Sequence, residues 1–122
     1  MRLLVDTCIL IDHLRGVEAA TEFLGGCGRC AISEITWIEV LVGARDEQAE
    51  LPLRGLLSSF ERLPIDRAVA EEAVRIRRES RLKIPDALIL GTARVHRLTL
   101  VTRNTKDFDP TAADIEVPYT LS

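Results

Sequence analysis

Short apolar runs alternate along this chain with longer segments whose apolar residues recur every three or four positions. The short runs predict buried strands, and the longer segments predict amphipathic helices. The predicted strands cover residues 2–5, 29–32, 61–65, 98–102 and, as a short edge strand, 115–117. The predicted helices cover residues 7–14, 17–24, 33–43, 46–60, 66–81 and 86–95. This alternation is typical of an α/β protein with a central, mainly parallel sheet and helices on both faces.

Small, polar and proline residues mark the ends of several predicted helices. The Gly25-Gly26 pair predicts the end of the second helix. Ser33 and Asp66 suit the N-cap positions of the third and fifth helices, because their side-chain oxygens can accept hydrogen bonds from backbone N–H groups. Pro52 predicts a kink or a boundary in the fourth helix. Pro85 fits the first position of the sixth.

The third predicted helix combines an apolar face with an acidic residue. Ile35, Ile38, Leu41 and Val42 recur at helical spacing. Glu39 lies on nearly the same side of the helix, so we expect its carboxylate close to the buried face.

Composition and charge narrow the class of protein. The 122 residues suit one domain, 1–122, and no linker, repeat or low-complexity stretch divides them. The net charge of −3 does not indicate a nucleic-acid binder by itself, since that class is usually basic. No signal peptide or membrane span is recognisable, and the odd number of cysteines, three, favours intracellular thiols. We therefore expect a cytoplasmic protein.

Acidic and amide side chains come from separated segments that such a fold brings to one edge. Asp6 follows the first predicted strand, and Asn104 and Asp107 follow the fourth. Asp86 opens the last helix, and Glu39 faces inward on the third. Binding crevices of parallel sheets lie outside the carboxyl ends of the strands. Oxygen ligands without a nearby Cys or His set favour Mg²⁺ or Mn²⁺, which predicts phosphodiester hydrolysis.

Each of these acids also has a purely structural interpretation. Asp6 could cap the helix that it precedes, and Glu39 could be a solvated helix residue. Asp86 is a favourable first-turn acid for the helix dipole, and Asp107 could simply be a turn residue. Only their joint placement supports the metal-site hypothesis.

Four segments together resemble a known family. They are VDTCILID at 5–12, TWIEVLVG at 36–43, IPDALILGTA at 84–93 and LVTRNTKDF at 100–108. In this order and spacing they resemble the PIN-domain ribonucleases, most closely the VapC toxins of bacterial and archaeal toxin–antitoxin pairs.

The resemblance implies a three-layer α/β/α sandwich and an endoribonuclease activity that depends on Mg²⁺ or Mn²⁺. It also implies neutralisation by a small VapB-type antitoxin, homodimerisation, and contact with DNA only indirectly, through the antitoxin. By position, Asp6, Glu39 and Asp86 match the three core acids of the family, and Thr7 and Thr102 match small polar residues that line its site. Asp6 and Asp86 would bind the metal directly.

Two residues could serve as the fourth polar residue of the implied site. Asn104 stands where many PIN domains carry an aspartate, and Asp107 lies three residues further on. Asp107 and Glu39 would bind the metal through water or orient the attacking water. Arg103 or Lys106 could contact the RNA backbone, and the alternative is that both are solvated loop charges.

Other functions fit the sequence less well. A phosphatase of the haloacid-dehalogenase type needs a second aspartate two residues after the first, where this chain has Cys8. A response-regulator receiver needs an acid pair beside strand one and a late lysine, for which Lys106 is a loose match. A non-catalytic interaction module with an acidic pocket is the remaining alternative.

Two further features receive structural interpretations. The Cys27-Gly28-Arg29-Cys30 motif enters a strand instead of opening a helix, which favours small buried thiols over a redox or zinc site. The basic run between 75 and 83 could hold RNA or an acidic antitoxin segment. Pairing with neighbouring glutamates on an exposed helix face is the simpler interpretation.

Overall fold

Parallel strands form the centre of the fold. The computed structural model describes residues 2–121, so the two ends of the predicted domain, residues 1 and 122, lie outside the described part. The strands are β1 Leu3–Val5, β2 Ala31–Ser33, β3 Glu61–Leu63, β4 Thr99–Val101 and β5 Ile115–Glu116. The helices are α1 Thr7–Leu14, α2 Glu18–Gly26, α3 Glu34–Val42, α4 Glu47–Leu57, α5 Arg67–Glu79 and α6 Ile84–Val95.

The sheet has the order β3-β2-β1-β4-β5, and every pairing in it is parallel. Strand β1 is central: Leu4 pairs with Ala31 of β2 and with Leu100 of β4. Strand β5 lies at an edge, as predicted. Because the strands are parallel, their carboxyl ends meet at one edge of the sheet, and Asp6 follows the middle strand there.

Helices cover both faces of this sheet. Leu4 and Val5 are fully buried and point to opposite faces, as alternation along a strand requires. Leu4 joins a core that includes residues of α5 and α6, and Val5 joins a second core that includes residues of α1, α3 and α4. The predicted α/β class with a parallel central sheet is confirmed.

Several predicted helix ends are confirmed and others are wrong. The Ser33 hydroxyl accepts from the Ile35 N–H at 3.1 Å, and the Asp66 carboxylate accepts from the Val69 N–H at 3.0 Å. Helix α2 does not stop before Gly25 but continues through Gly26. Pro52 lies inside α4 and is no boundary; a kink at this position stays a prediction. Helix α6 begins one residue before Pro85.

The buried face of α3 differs in part from the prediction: Leu41 is buried and Ile35 packs against the core as expected, but two other residues do not. Ile38 and Val42 are 44% and 75% exposed, whereas Thr36, Val40 and Leu41 are buried. The helix is therefore rotated relative to the face that its largest apolar residues suggest. Packing against α1 selects the smaller Thr36, whose hydroxyl lies 2.9 Å from that of Thr7.

Helix α6, which carries Asp86, packs very closely on α5. A Cβ at Gly91 would lie 3.3 Å from both the Ala73 nitrogen and the Val69 carbonyl oxygen, which are backbone atoms that cannot easily move. Glycine thus permits the approach of the two helices. Within residues 2–121, none of these helices has the length and apolar character needed to cross a membrane.

Candidate functional site

Asp6 is buried at the point where the central strand becomes a helix. It caps α1: its Oδ1 accepts from the Thr7 N–H at 2.8 Å. Its Oδ2 accepts from the Thr102 hydroxyl at 2.7 Å and from the Cys8 thiol at 3.4 Å. The capping interpretation of Asp6 is therefore correct. It is compatible with metal binding, because a carboxylate has about four lone-pair positions.

The environment of Asp6 disfavours its negative charge. Burial raises its pKa above the usual 3.8. Hydrogen bonds from Thr102, Cys8 and the Thr7 backbone, and the charge of the nearby Arg103, oppose that change only in part. Within residues 2–121, no basic side chain forms a salt bridge with this carboxylate. A bound cation would compensate the buried charge.

Thr7 connects Asp6 to Glu39. Its hydroxyl donates to Glu39 Oε1 at 2.7 Å and lies 2.9 Å from the Thr36 hydroxyl. Glu39 is largely exposed, so the prediction that it lies at the buried face is wrong in that respect. The rotation of α3 places Glu39 on the side that faces the start of α1. Its carboxylate therefore lies at the rim of the Asp6 pocket.

Asp86 shows that the four acids share one electrostatic environment. Its pKa is raised to about 6, first by burial and then by the charges of Asp6, Asp107 and Glu39, while Lys83 lowers it. Helix α6 presents Asp86 in its first turn, where the helix dipole favours an acid. Acids from four separated segments therefore lie near enough at this edge of the sheet for their charges to act on Asp86. Their joint binding of a metal stays a prediction.

The loop after β4 supplies the fourth side of the pocket. The Thr102 hydroxyl, which donates to Asp6, accepts from the Asn104 backbone N–H at 3.0 Å. The Asn104 side-chain amide donates to Asp107 Oδ2 at 2.8 Å. Asn104 and Asp107 are therefore joined to each other, and Asp107 brings the charge that reaches Asp86.

The two predicted RNA contacts of this loop lie in different environments. Lys106 is exposed. The Arg103 guanidinium is partly exposed and pairs with the buried carboxylate of Asp12. Sequence reasoning missed Asp12 and its second partner, Tyr119. Asp12 could have been recognised as a charged residue at the end of an apolar run. No local pattern in the sequence indicates the role of Tyr119.

The residues fit a hard, hydrated cation. Two carboxylates 4 Å apart would repel by about 4 kcal/mol at an effective dielectric constant of roughly 20, and a divalent ion reverses that sign. In the described part of the chain, no three His, Cys, Asp or Glu side chains are grouped closely enough to hold one ion directly. Mg²⁺ usually keeps several waters and takes only one or two carboxylates directly. The all-oxygen donor set suits that mode of binding.

The cysteine motif lies elsewhere and has a structural character. Cys27 and Cys30 are free thiols, and Cys30 is buried at the start of β2. Burial, followed by its interaction with Cys27, raises the pKa of Cys30 to about 12. A thiol that stays protonated at neutral pH is a poor nucleophile and a poor metal ligand, in agreement with the sequence interpretation.

Comparison with known proteins places this architecture in a family. A toxin–antitoxin complex from Klebsiella pneumoniae contains a chain that is 45% identical and superposes with a TM-score of 0.90, over 98% of this chain and 99% of that one. Ribonuclease VapC10 of Mycobacterium tuberculosis is 35% identical over 98% of this chain and 94% of its own length. The tRNA(fMet)-specific endonuclease VapC of Shigella flexneri is 31% identical over 89% and 91%. The PIN domain family model matches residues 3–113, and this chain belongs to the PIN domain family.

Proposed function

We propose that this chain is a Mg²⁺- or Mn²⁺-dependent endoribonuclease and the toxin of a type II toxin–antitoxin pair. The observation that carries the proposal is the convergence of acids at the carboxyl ends of parallel strands, where Thr7 contacts both Asp6 and Glu39. The raised pKa of Asp86, to which the charges of Asp6, Asp107 and Glu39 contribute, agrees with that placement. The relatives named as VapC ribonucleases support the same activity.

The roles of the acids follow from their surroundings. Asp6 and Asp86, the two more buried acids, would hold the metal directly. Glu39 and Asp107, which are exposed, would hold it through water or orient the attacking water. When bound, such an ion lowers the pKa of its water and stabilises charge on the phosphate.

Neutral hydrogen-bond donors orient these carboxylates. Thr7 fixes Glu39 Oε1 and leaves Oε2 able to accept a hydrogen bond from water. Thr102 and the Thr7 backbone fix the two oxygens of Asp6. Because these donors are uncharged, the pocket keeps its negative charge for a cation.

The substrate is RNA, and tRNA is the first class to test because one relative is named as a tRNA(fMet)-specific endonuclease. The negative net charge and the acidic pocket mean that the cation must overcome the repulsion of the phosphates. Lys106 and Lys83 are exposed cations near the pocket and are candidates for contacts with the RNA backbone.

The partner is a small VapB-type antitoxin, in keeping with the toxin–antitoxin complex that contains the 45% identical chain. An antitoxin arginine would pair with the carboxylates of the pocket. The chain acts as a homodimer in the cytoplasm and contacts DNA only through the antitoxin.

The test is cleavage of labelled tRNA by the purified chain with Mg²⁺, Mn²⁺ or EDTA. We expect cleavage with either metal, none with EDTA, and none from Asp86→Asn. Glu47→Gln is a matched control, because Glu47 is also a first-turn acid but belongs to α4; this variant should cleave normally. Absence of cleavage with both metals, on bulk RNA as well as tRNA, would favour a non-catalytic module. Cleavage that persists in EDTA would exclude the metal mechanism.

A further inference from the structure

A second buried aspartate lies on the same helix as the candidate site but faces different partners. Asp12 is only 3% exposed. Arg103 Nε donates to its Oδ2, and Arg103 Nη2 donates to its Oδ1 at 3.0 Å. The Tyr119 hydroxyl donates to Oδ2 at 2.8 Å. One carboxylate thereby joins α1, the loop after β4 and the segment after β5.

In the chain, Arg103 lies between two residues whose hydrogen bonds connect the loop after β4 to Asp6. It stands between Thr102, whose hydroxyl donates to Asp6 at 2.7 Å, and Asn104, whose N–H donates to that hydroxyl at 3.0 Å. Asn104 in turn binds Asp107. A displacement of Arg103 would therefore be transmitted to the contacts on both sides of it.

We propose that Arg103, Asp12 and Tyr119 form a positioning cluster that holds the loop 102–108 against Asp6. The three residues act through Thr102, Asn104 and Asp107 and do not touch the substrate. This inference rests on the proposed nuclease function for its effect on catalysis, and on geometry alone for its effect on the loop.

The geometry distinguishes this cluster from an ordinary surface ion pair. A two-pronged contact between a guanidinium and a carboxylate fixes direction as well as distance, and the acceptor here is nearly inaccessible to water. Burial by itself would raise the pKa of Asp12, but the hydrogen bonds from Arg103 and Tyr119 hold that pKa below its usual value. Asp12 is thus a charged, fully partnered group.

The first experiment separates positioning from RNA contact by kinetics. Arg103→Ala and Asp12→Asn should each lower kcat about 10- to 100-fold, because small misplacements of reacting groups have effects of that size. KM and its salt dependence should stay close to those of the wild type. Arg103→Lys should restore little, since an ammonium group lacks the planar fork.

A direct RNA contact predicts a different pattern. Arg103→Ala would then raise KM and reduce the salt slope by about one charge. Asp12→Asn would leave kcat unchanged. That pattern would overturn the proposal.

The second experiment needs no substrate. The amide of Asn104, bonded to the Thr102 hydroxyl, should exchange with solvent faster in Arg103→Ala and in Asp12→Asn, relative to the amide of Asp6, which bonds to the Val101 carbonyl. The matched control is Arg94→Ala, which removes an arginine–aspartate pair with Asp114 at 3.0 Å and should not change this ratio.

The cleavage kinetics and the amide exchange test the proposed nuclease function and the positioning cluster separately. An unchanged exchange ratio in both variants would overturn the positioning cluster even if RNA is cleaved. A wild type that cleaves no RNA would overturn the proposed function, while the exchange ratio would still decide the positioning. If Asp12→Asn does not fold, Tyr119→Phe should change the ratio in the same direction by a smaller factor, because it removes a single hydrogen bond.

Discussion

Asp6 is the N-cap of helix α1 and Asp12 lies within that helix, and both residues are nearly inaccessible to water, at 4% and 3% exposure. Their partners differ in kind. Asp6 is bound by hydroxyl, thiol and amide donors, all of them neutral. Asp12 is bound by a guanidinium and a phenol. Burial raises the pKa of Asp6, whereas the partners of Asp12 hold its pKa below the usual value.

Burial alone therefore does not identify a metal site. A buried carboxylate with a cationic partner is already compensated and contributes to the fold. A buried carboxylate with neutral partners, close to other acids, remains under-compensated and fits an external cation.

The largest effect is expected for Asp6→Asn. Loss of a direct metal ligand should lower the rate of RNA cleavage about a thousandfold or more, which corresponds to roughly 4 kcal/mol of transition-state stabilisation. The metal-free fold should be as stable as the wild type or slightly more stable, because asparagine also caps helices and carries no charge. Thermal unfolding in EDTA measures the second quantity. A large loss of stability would mean that Asp6 is mainly a structural cap.

Asp12→Ala should lower the stability of the fold, in addition to the loss of kcat that the positioning role of Asp12 implies. Removing the carboxylate leaves Arg103 and Tyr119 without their acceptor. We expect a loss of about 2 kcal/mol in the free energy of unfolding. This is less than for a fully buried ion pair, because the Arg103 side chain is partly exposed. Asp114→Ala is the control, since its pair with Arg94 lies at the surface and should contribute less than about 1 kcal/mol. Urea unfolding measures both. Equal losses in the two variants would contradict the distinction.

The next largest effect is expected for the pH dependence of metal binding. The pKa of Asp86 is raised to about 6, so the metal-free fold loses stability from this group as pH rises from the usual pKa of 3.8 through about 6. A cation competes with that proton, and the apparent affinity for Mn²⁺ should fall about tenfold per pH unit below pH 6. Calorimetric titration with Mn²⁺ between about pH 5 and about pH 7.5 measures this. An affinity independent of pH would show that Asp86 does not bind the metal.

The smallest effect is expected for Tyr119→Phe. The ring keeps its packing, and the loss of one hydrogen bond to a charged acceptor should cost about 1–2 kcal/mol in the free energy of unfolding. Mn²⁺ affinity should change far less than in Asp6→Asn, because Tyr119 reaches the acids of the pocket only through Asp12 and Arg103. A fall in Mn²⁺ affinity as large as that of Asp6→Asn would show that the surroundings of Asp6 and of Asp12 cannot be separated in metal binding.

The candidate site was largely predictable because its residues occupy positions that the chain order itself defines. Asp6 and Asp107 follow strands and Asp86 begins a helix, and parallel topology brings such positions to one edge. Glu39 was found by motif and periodicity, but the side of α3 that it occupies was predicted wrongly. Ile38 and Val42 suggested a buried face that the packing of Thr36 against Thr7 does not select.

Periodicity and capping are local properties, so the sequence was enough to predict the alternation of strands and helices, the parallel sheet and the acids at its edge. Which of the two buried aspartates is paired with a cation depends on contacts between distant segments, which are visible only in the folded protein. The partners of Asp12 stand 91 and 107 residues away, and no local pattern connects positions so distant. The sequence suggested that Arg103 contacts RNA, but in the folded protein its guanidinium pairs with Asp12.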